Sequence, residues 1–267
     1  MIFVCGIQGV GKIQYCRQLS RKIGKPYFPA GEPIPKNELD ADFISDGHLC
    51  FLNERHEIRQ VEEKKIRTLK IKLLIILVDK PLMIKRKLEQ RDKTVWEESF
   101  IEYFQKRELE YALRLGQNLG LDYKIVTNNN ESESYFGKSI LLPIKPLYTE
   151  KIFMGEKKYE FRKKLCTENI DKIYFYATSP VKKIVGEADV LEKYSMEKKR
   201  LWNLTYSHSG ISADFFEQYF QTHTRANAYK LGKSTRYASP FTLGEIGLNY
   251  TPQSYAYINT DIMNRSM

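Results

Sequence analysis

Apolar and polar positions change rhythm near the middle of the chain. Upstream, apolar runs of strand length alternate with segments whose apolar residues recur every three to four positions. Met1-Ile2-Phe3-Val4-Cys5 reads as a strand, Lys12 to Ile23 as a helix, and Pro26 to Pro29 as a short second strand. Asp42-Phe43-Ile44-Ser45 leads into Asp46-Gly47-His48, and Lys70 to Val78 predicts a buried strand ending at Asp79. Pro81 is placed to open a helix carrying Leu82, Ile84, Leu88 and Arg91. A longer helix spans Trp96 to Leu119, with a stripe through Phe100, Ile101, Phe104, Leu109, Ala112, Leu113 and Leu119. Gly120 is placed to end it, and Tyr123 to Val126 supplies a last strand. This alternation implies an α/β domain, a mainly parallel sheet with helices on both faces.

Thr127 to Lys138 carries three asparagines and alternating Glu and Ser with no apolar period, so it reads as a linker. The boundaries expected are a first domain over 1–127, a linker over 128–138 and a second domain over 139–267. In the second domain Ser139 to Ile144 is extended and Pro146 to Met154 helical. Lys158 to Arg162, Lys172 to Ala177, Lys183 to Glu192, Asn227 to Gly232 and Ser254 to Ile258 read as strands. Met196 to Tyr206 and Ser212 to Phe220 read as helices between them. That order predicts an α+β domain with a small curved or closed sheet.

The first strand runs into Gly6-Ile7-Gln8-Gly9-Val10-Gly11-Lys12-Ile13 and then a helix, the context in which G-x-x-x-x-G-K-[ST] forms a phosphate-binding loop. Glycines at 6, 9 and 11 let backbone N–H groups converge on phosphate oxygens, with Val10 between them and the helix start adding its dipole. Lys12 is placed to set an ammonium against β- and γ-phosphates. Ile13 stands where a Ser or Thr hydroxyl would ligate Mg²⁺, and its side chain offers no ligand. The loop predicts nucleotide binding more firmly than turnover.

The 267 residues suffice for two ordinary domains, and no apolar run approaches membrane length, so no membrane partner is expected. The first residues show no basic segment ahead of an apolar one, which points to the cytoplasm. Cys5, Cys16, Cys50 and Cys166 are scattered, without the spacing of zinc ligands or a disulfide framework. The net charge of +10 divides as +4 over 1–138 and +6 over 139–267, which suits a polyanionic partner without specifying one.

The first half resembles the adenylate-kinase-like branch of P-loop nucleotide kinases. The resemblance rests on the loop ending in Lys12, on Asp46-Gly47 after an apolar run, and on a helix carrying Arg86 and Arg91 after the strand Leu73 to Val78. It implies ATP or GTP as ligand, Asp46 near Mg²⁺ and its water shell, and Arg86 and Arg91 directed at transferring phosphates, where a planar guanidinium fits. The chain departs from that pattern in His48-Leu49-Cys50 after Asp-Gly, and in the short, proline-bearing stretch Gly24 to Ile44 where an acceptor lobe would sit. Ordinary alternatives are a turn or helix cap for Asp46, a solvated helix face for the two arginines, and a packed residue for His48.

Gly155-Glu156-Lys157-Lys158-Tyr159-Glu160-Phe161-Arg162 fits G-x-K-x-x-E-x-R, and the second half resembles ASCH domains, which are similar in fold to RNA-binding PUA domains. The resemblance extends over Ser139 to Ile258 and implies a small β-barrel with a cleft between barrel and helices. By alternation on a strand, Lys158, Glu160 and Arg162 share one face and Tyr159 and Phe161 the other. Gly155 permits the turn that brings Lys157 to the same cleft. The expected pocket gathers Lys157, Glu160, Arg162, Ser179 and Glu187, with Tyr176 stacking on a base. The alternative is a ladder of cross-strand ion pairs. Some ASCH proteins hydrolyse acetylated cytidine with a Lys, Thr and Glu, but Glu160 occupies the Thr position here, which favours binding over that reaction.

The leading expectation is a nucleotide-binding protein whose second domain recognises RNA or a nucleoside-like ligand. A small nucleoside or nucleotide kinase and an RNA-binding module with a degenerate first domain are the rivals. The sequence leaves the oligomeric state open.

Overall fold

Leu73–Val78, six apolar residues without a break, form a strand in which every side chain is buried, so both faces of the surrounding sheet are covered. The computed structural model describes residues 1–34, 42–92, 95–128, 138–168, 170–259 and 263. The chain divides into two compact units, Met1–Asn130 and Glu131–Met267. Most of the linker expected over 128–138 lies outside the described residues.

In the first unit β1 (Ile2–Cys5), α1 (Lys12–Ile23), β2 (Tyr27–Phe28) and β3 (Ile44–Gly47) come first. A hairpin of β4 (Cys50–Leu52) and β5 (Ile58–Gln60) and a short α2 (Glu63–Thr68) follow. Then come β6 (Leu73–Val78), α3 (Pro81–Asp92), α4 (Glu98–Asn118) and β7 (Asp122–Thr127). The parallel sheet runs β2-β3-β1-β6-β7. β1 lies in the centre, and the glycine loop leaves its carboxyl end, where open α/β sheets place ligands. Glycine shapes that loop: Gly9 and Gly11 sit at φ +83° and +94°, and a Cβ on Gly9 would meet Leu88 at 2.8 Å. The hairpin and α2 were not expected, because their exposed, charged sequence carries little apolar period. Between α1 and β3 the described residues form only β2, so no helical acceptor lobe is present among them.

The second unit contains β8 (Lys138–Ile144), α5 (Pro146–Phe153), β9 (Tyr159–Arg162), β10 (Lys172–Ala177), β11 (Lys183–Glu197), α6 (Lys198–Thr205), α7 (Ala213–Tyr219), β12 (Arg225–Phe241) and β13 (Ala256–Asn259). Its strands run β13-β8-β10-β11-β12-β9, with β8 and β10 parallel and the other pairs antiparallel. β11 and β12 extend well beyond the lengths expected, because polar residues such as Ser195 and Lys233 continue the ladder past the apolar stretches. Several register shifts bulge that pair, a device that increases twist. Among the described residues no ladder joins β9 to β13, so of the curved or closed sheet expected, the described strands form a bulged mixed sheet.

Two apolar clusters fill this unit. One gathers Ile140, Leu142, Phe175 and Tyr229, and the other Leu141, Tyr174, Tyr176 and Phe241. Neighbouring residues of β8 and β10 alternate between them, as a two-sided core requires. Tyr229 is fully buried, and its hydroxyl accepts from the Cys166 N–H at 2.8 Å. Tyr229→Phe strands that donor, and we expect a loss of about 1–3 kcal/mol in stability, read from urea unfolding.

Candidate functional site

Glu108 on α4 is 1% exposed and organises the first site. Its Oε1 accepts from the N–H groups of Gly6 at 3.1 Å and Leu49 at 3.0 Å, and its Oε2 accepts from Cys50. One carboxylate thus ties the start of the glycine loop to the turn after β3. Burial pushes the Glu108 pKa up, and the donors from Leu49 and Cys50 pull it back. The Asn128 amide holds the loop from the other side, donating to Val10 O at 2.8 Å.

Lys12 is buried at the start of α1, and its Nζ donates to Gly6 O at 2.8 Å and Ile7 O at 3.1 Å. It also lies 3.0 Å from His48 Nε2. Burial brings the Lys12 pKa down to about 8, against the pull of Glu108 and Asp46. Burial, and then the Lys12 charge, holds His48 at about 4, so at neutral pH its ring accepts from the ammonium. Gly11 caps α1 and offers no side chain to its first N–H groups, and the positive helix end faces the loop.

A cleft of about 660 Å³ opens at this loop. Lys12, Arg17, Arg21, Lys87 and Arg91 line it, against the single carboxylate of Asp46. Gln8, Gln14 and Gln18 add neutral amides, and Gly9, Gly11 and Ile13 complete the loop side. Asp46 Oδ1 accepts from Tyr27 Oη at 2.8 Å and Ala30 N at 3.3 Å. Lys87 bonds the buried Asp79 at 2.5 Å, and Gln105 fixes that turn by exchanging bonds with the Asp79 backbone.

The structure therefore brings together Gly9, Gly11, Lys12, Ile13, Asp46 and Arg91 of the expected site. Gly6 takes part differently, since its N–H is committed to Glu108. Val10 is fully buried and contributes packing and a carbonyl bonded to Asn128. Arg86 is a correction: it is exposed and does not line the cleft, where its neighbour Lys87 stands instead. Adjacent residues on a helix point about 100° apart, which decides between them. Sequence reasoning missed Arg17, Arg21, Lys87 and Glu108. The spacing of the two arginines four apart, after the loop lysine, was the available signal for the first two.

The Mg²⁺ implied by the kinase resemblance does not fit these residues. Ile13 supplies no ligand, and one oxygen of Asp46, the carboxylate lining the cleft, is already engaged by Tyr27 and Ala30.

In the second unit Glu160 is the buried centre. It pairs with Lys157 at 3.4 Å and Arg162 at 3.0 Å. Lys157 is 3% exposed, donates to Ser209 O at 2.8 Å, and sits 4.9 Å over the Phe161 ring and 5.5 Å over Tyr148. Burial lowers its pKa, and Glu160 pushes it back up. Gly210 lies against its stem, where a Cβ would come within 2.7 Å. Arg162 donates to Pro143 O at 2.6 Å, while its buried Nε has no partner among the described residues.

Five expectations are corrected here. Lys158 is exposed, so the charged group is Lys157, Glu160 and Arg162. Tyr176 belongs to an apolar cluster and is 6% exposed, so it is core and not a stacking platform. Glu187 is bonded to Lys172 and to Tyr237, 2.8 Å away, in a separate group. Its register partners are Tyr174 and Thr235, whereas Glu160 pairs with Tyr229, six residues away along β12. Ser179 is exposed beyond the end of β10, and Gly155 turns the chain before Lys157 at φ +77° without lining the charged group.

No model of a protein family matches the chain. It is 30% identical to the ATP synthase subunit alpha of Ureaplasma parvum over 122 residues, which are 45% of this chain and 15% of that protein. A large ribosomal subunit protein of the same organism is 25% identical over 130 residues, 48% of this chain and 42% of that one. The chain spans less than half the length of either relative. The ASCH domain-containing ribonuclease of Zymomonas mobilis is 26% identical over 128 residues, covering 46% of this chain and 86% of the ribonuclease. A crystal structure of ASCH from Zymomonas mobilis aligns at 25% identity and a TM-score of 0.45, over 48% of this chain and 93% of that one. About half of the chain is thus similar to a protein with an ASCH domain. No helix among the described residues is long and apolar enough to cross a membrane.

Glu108→Gln keeps the shape of the side chain but turns one acceptor into an amide donor facing backbone N–H groups. We expect a loss of about 1–3 kcal/mol by chemical denaturation. A variant as stable as the parent would show that the carboxylate does not hold the loop.

Proposed function

We propose that this protein binds a nucleoside triphosphate, ATP or GTP, at the glycine loop of its first unit and engages RNA through its second unit. The observation that carries the reading is the cleft at Lys12, where Lys12, Arg17, Arg21 and Arg91 face one lining carboxylate, Asp46, at the end of the central parallel strand, while Lys87 is paired with Asp79. Phosphates would take the open end of α1 and the Lys12 ammonium, which would leave its backbone carbonyls for them. Ile13 and the engaged Asp46 favour binding over phosphoryl transfer.

The RNA half rests on two supports. One is the likeness of about half the chain to a ribonuclease with an ASCH domain, which we assign to the second unit because that unit carries the G-x-K-x-x-E-x-R residues. The other is the Arg162 Nε, buried beside a lysine and without a partner among the described residues, a donor that an acceptor would satisfy once the side chain turns outward.

Calorimetric titration with ATP tests the first half. Saturable binding is expected, weakened at least tenfold in Lys12→Ala and in Lys12→Met, which keeps the stem. The ammonium is the binding form and its pKa is lowered to about 8. Affinity is therefore expected to fall as pH rises through that value, by about tenfold from pH 7 to pH 9. A flat profile would exclude Lys12 as the phosphate ligand.

Fluorescence anisotropy with a single-stranded RNA tests the second half. Lys157→Met and Arg162→Gln should each weaken binding at least tenfold while the thermal transition of the second unit persists. Unaltered affinity in both would sink the proposed RNA site.

A further inference from the structure

We infer that the phosphate-loop cleft takes the phosphate-terminated end of a single-stranded RNA, with the terminal phosphate in the loop and the following backbone on α1. This rests on the proposed phosphate-binding role of the loop and names the ligand class. Gln14, Arg17, Gln18 and Arg21 are spaced i, i+3, i+4 and i+7, so they share one face of α1, and all four line the cleft. From Lys12 the helix rises about 7.5 Å to Arg17 and about 6 Å more to Arg21. The terminal phosphates of a mononucleotide occupy the Lys12 end, and Arg17 and Arg21 continue the cationic track away from it. These steps resemble the separation of successive phosphates along an extended strand.

Arg17 and Arg21 form no ion pair among the described residues, and both are exposed. Like charges four apart weaken a helix slightly, so the pair adds nothing to the folding of α1. Arg21 lies in the last turn, where it complements the helix dipole, but Arg17 has no such role. The glutamine amides distinguish a nucleic acid from a bare phosphate chain, since they can bond sugar hydroxyls and base edges. Arg91 and Lys87 face the same cleft from α3 and enclose the loop end.

Competition against a fluorescent ATP derivative reads this cleft alone. The competitors are AMP, an RNA tetranucleotide with a 5′-phosphate or a 3′-phosphate, the same tetranucleotide with hydroxyl ends, and inorganic polyphosphate. A phosphorylated tetranucleotide is expected to compete at least tenfold better than AMP and than its hydroxyl form. In Arg17→Gln/Arg21→Gln, checked for folding by circular dichroism, that advantage over AMP should disappear. Equal competition by AMP and the phosphorylated RNA would overturn the inference, as would an advantage that survives the double substitution. Polyphosphate competing as well as RNA would overturn the nucleic-acid assignment. If the fluorescent ATP is not bound at all, the underlying phosphate-loop reading fails instead.

Discussion

A carboxylate removed from water must collect donors or lose its charge, and in the first unit Glu108 meets that demand with backbone N–H groups from two distant stretches. Gly6 and Leu49 lie 102 and 59 residues away from it in sequence. By satisfying itself, the side chain fixes where the glycine loop leaves β1 and where the chain turns after β3. Lys12 and His48 sit on those two stretches, so their contact depends on the same anchor. α4 is thus part of the site although none of its residues lines the cleft.

The second unit applies the same demand to a different end. Glu160 is buried and holds two cations rather than backbone donors, and a buried ion group is tolerated only when its members are well bonded. Lys157 meets the requirement with Ser209 O and two aromatic rings. Arg162 meets it incompletely, because Nε remains unsatisfied among the described residues. In the first site the Glu108 and Lys12 groups are bonded to the loop; the second keeps one donor in reserve.

Local signals made much of this legible in the sequence. Gly11 and Gly24 bound α1, which spans the expected Lys12–Ile23, Pro81 starts α3, and the glycine loop lies between β1 and α1 as expected. What could not be read was set by three-dimensional neighbours. Glu108 looks like any polar residue of an amphipathic helix until its partners arrive from far along the chain. Arg86 and Lys87 differ by a rotation about α3 that the helix pattern, with its weak apolar stripe, does not fix. β10 is buried on both sides, and a strand read from sequence alone could not show that a second apolar cluster covers the face that carries Tyr176. Glu187 fell to a related limit, because the bulges of β11 and β12 shift the register that spacing alone would assume.

An ammonium has three hydrogens, and those of Lys12 have Gly6 O, Ile7 O and His48 as acceptors in the ligand-free protein. On the proposed reading, an arriving phosphate would not find a waiting charge; it would compete for one. Its apparent affinity would be the intrinsic affinity scaled by the fraction of molecules in which the lysine has swung free. Association would then carry the rate of that release as well as diffusion, with two carbonyls and a neutral imidazole setting the resistance.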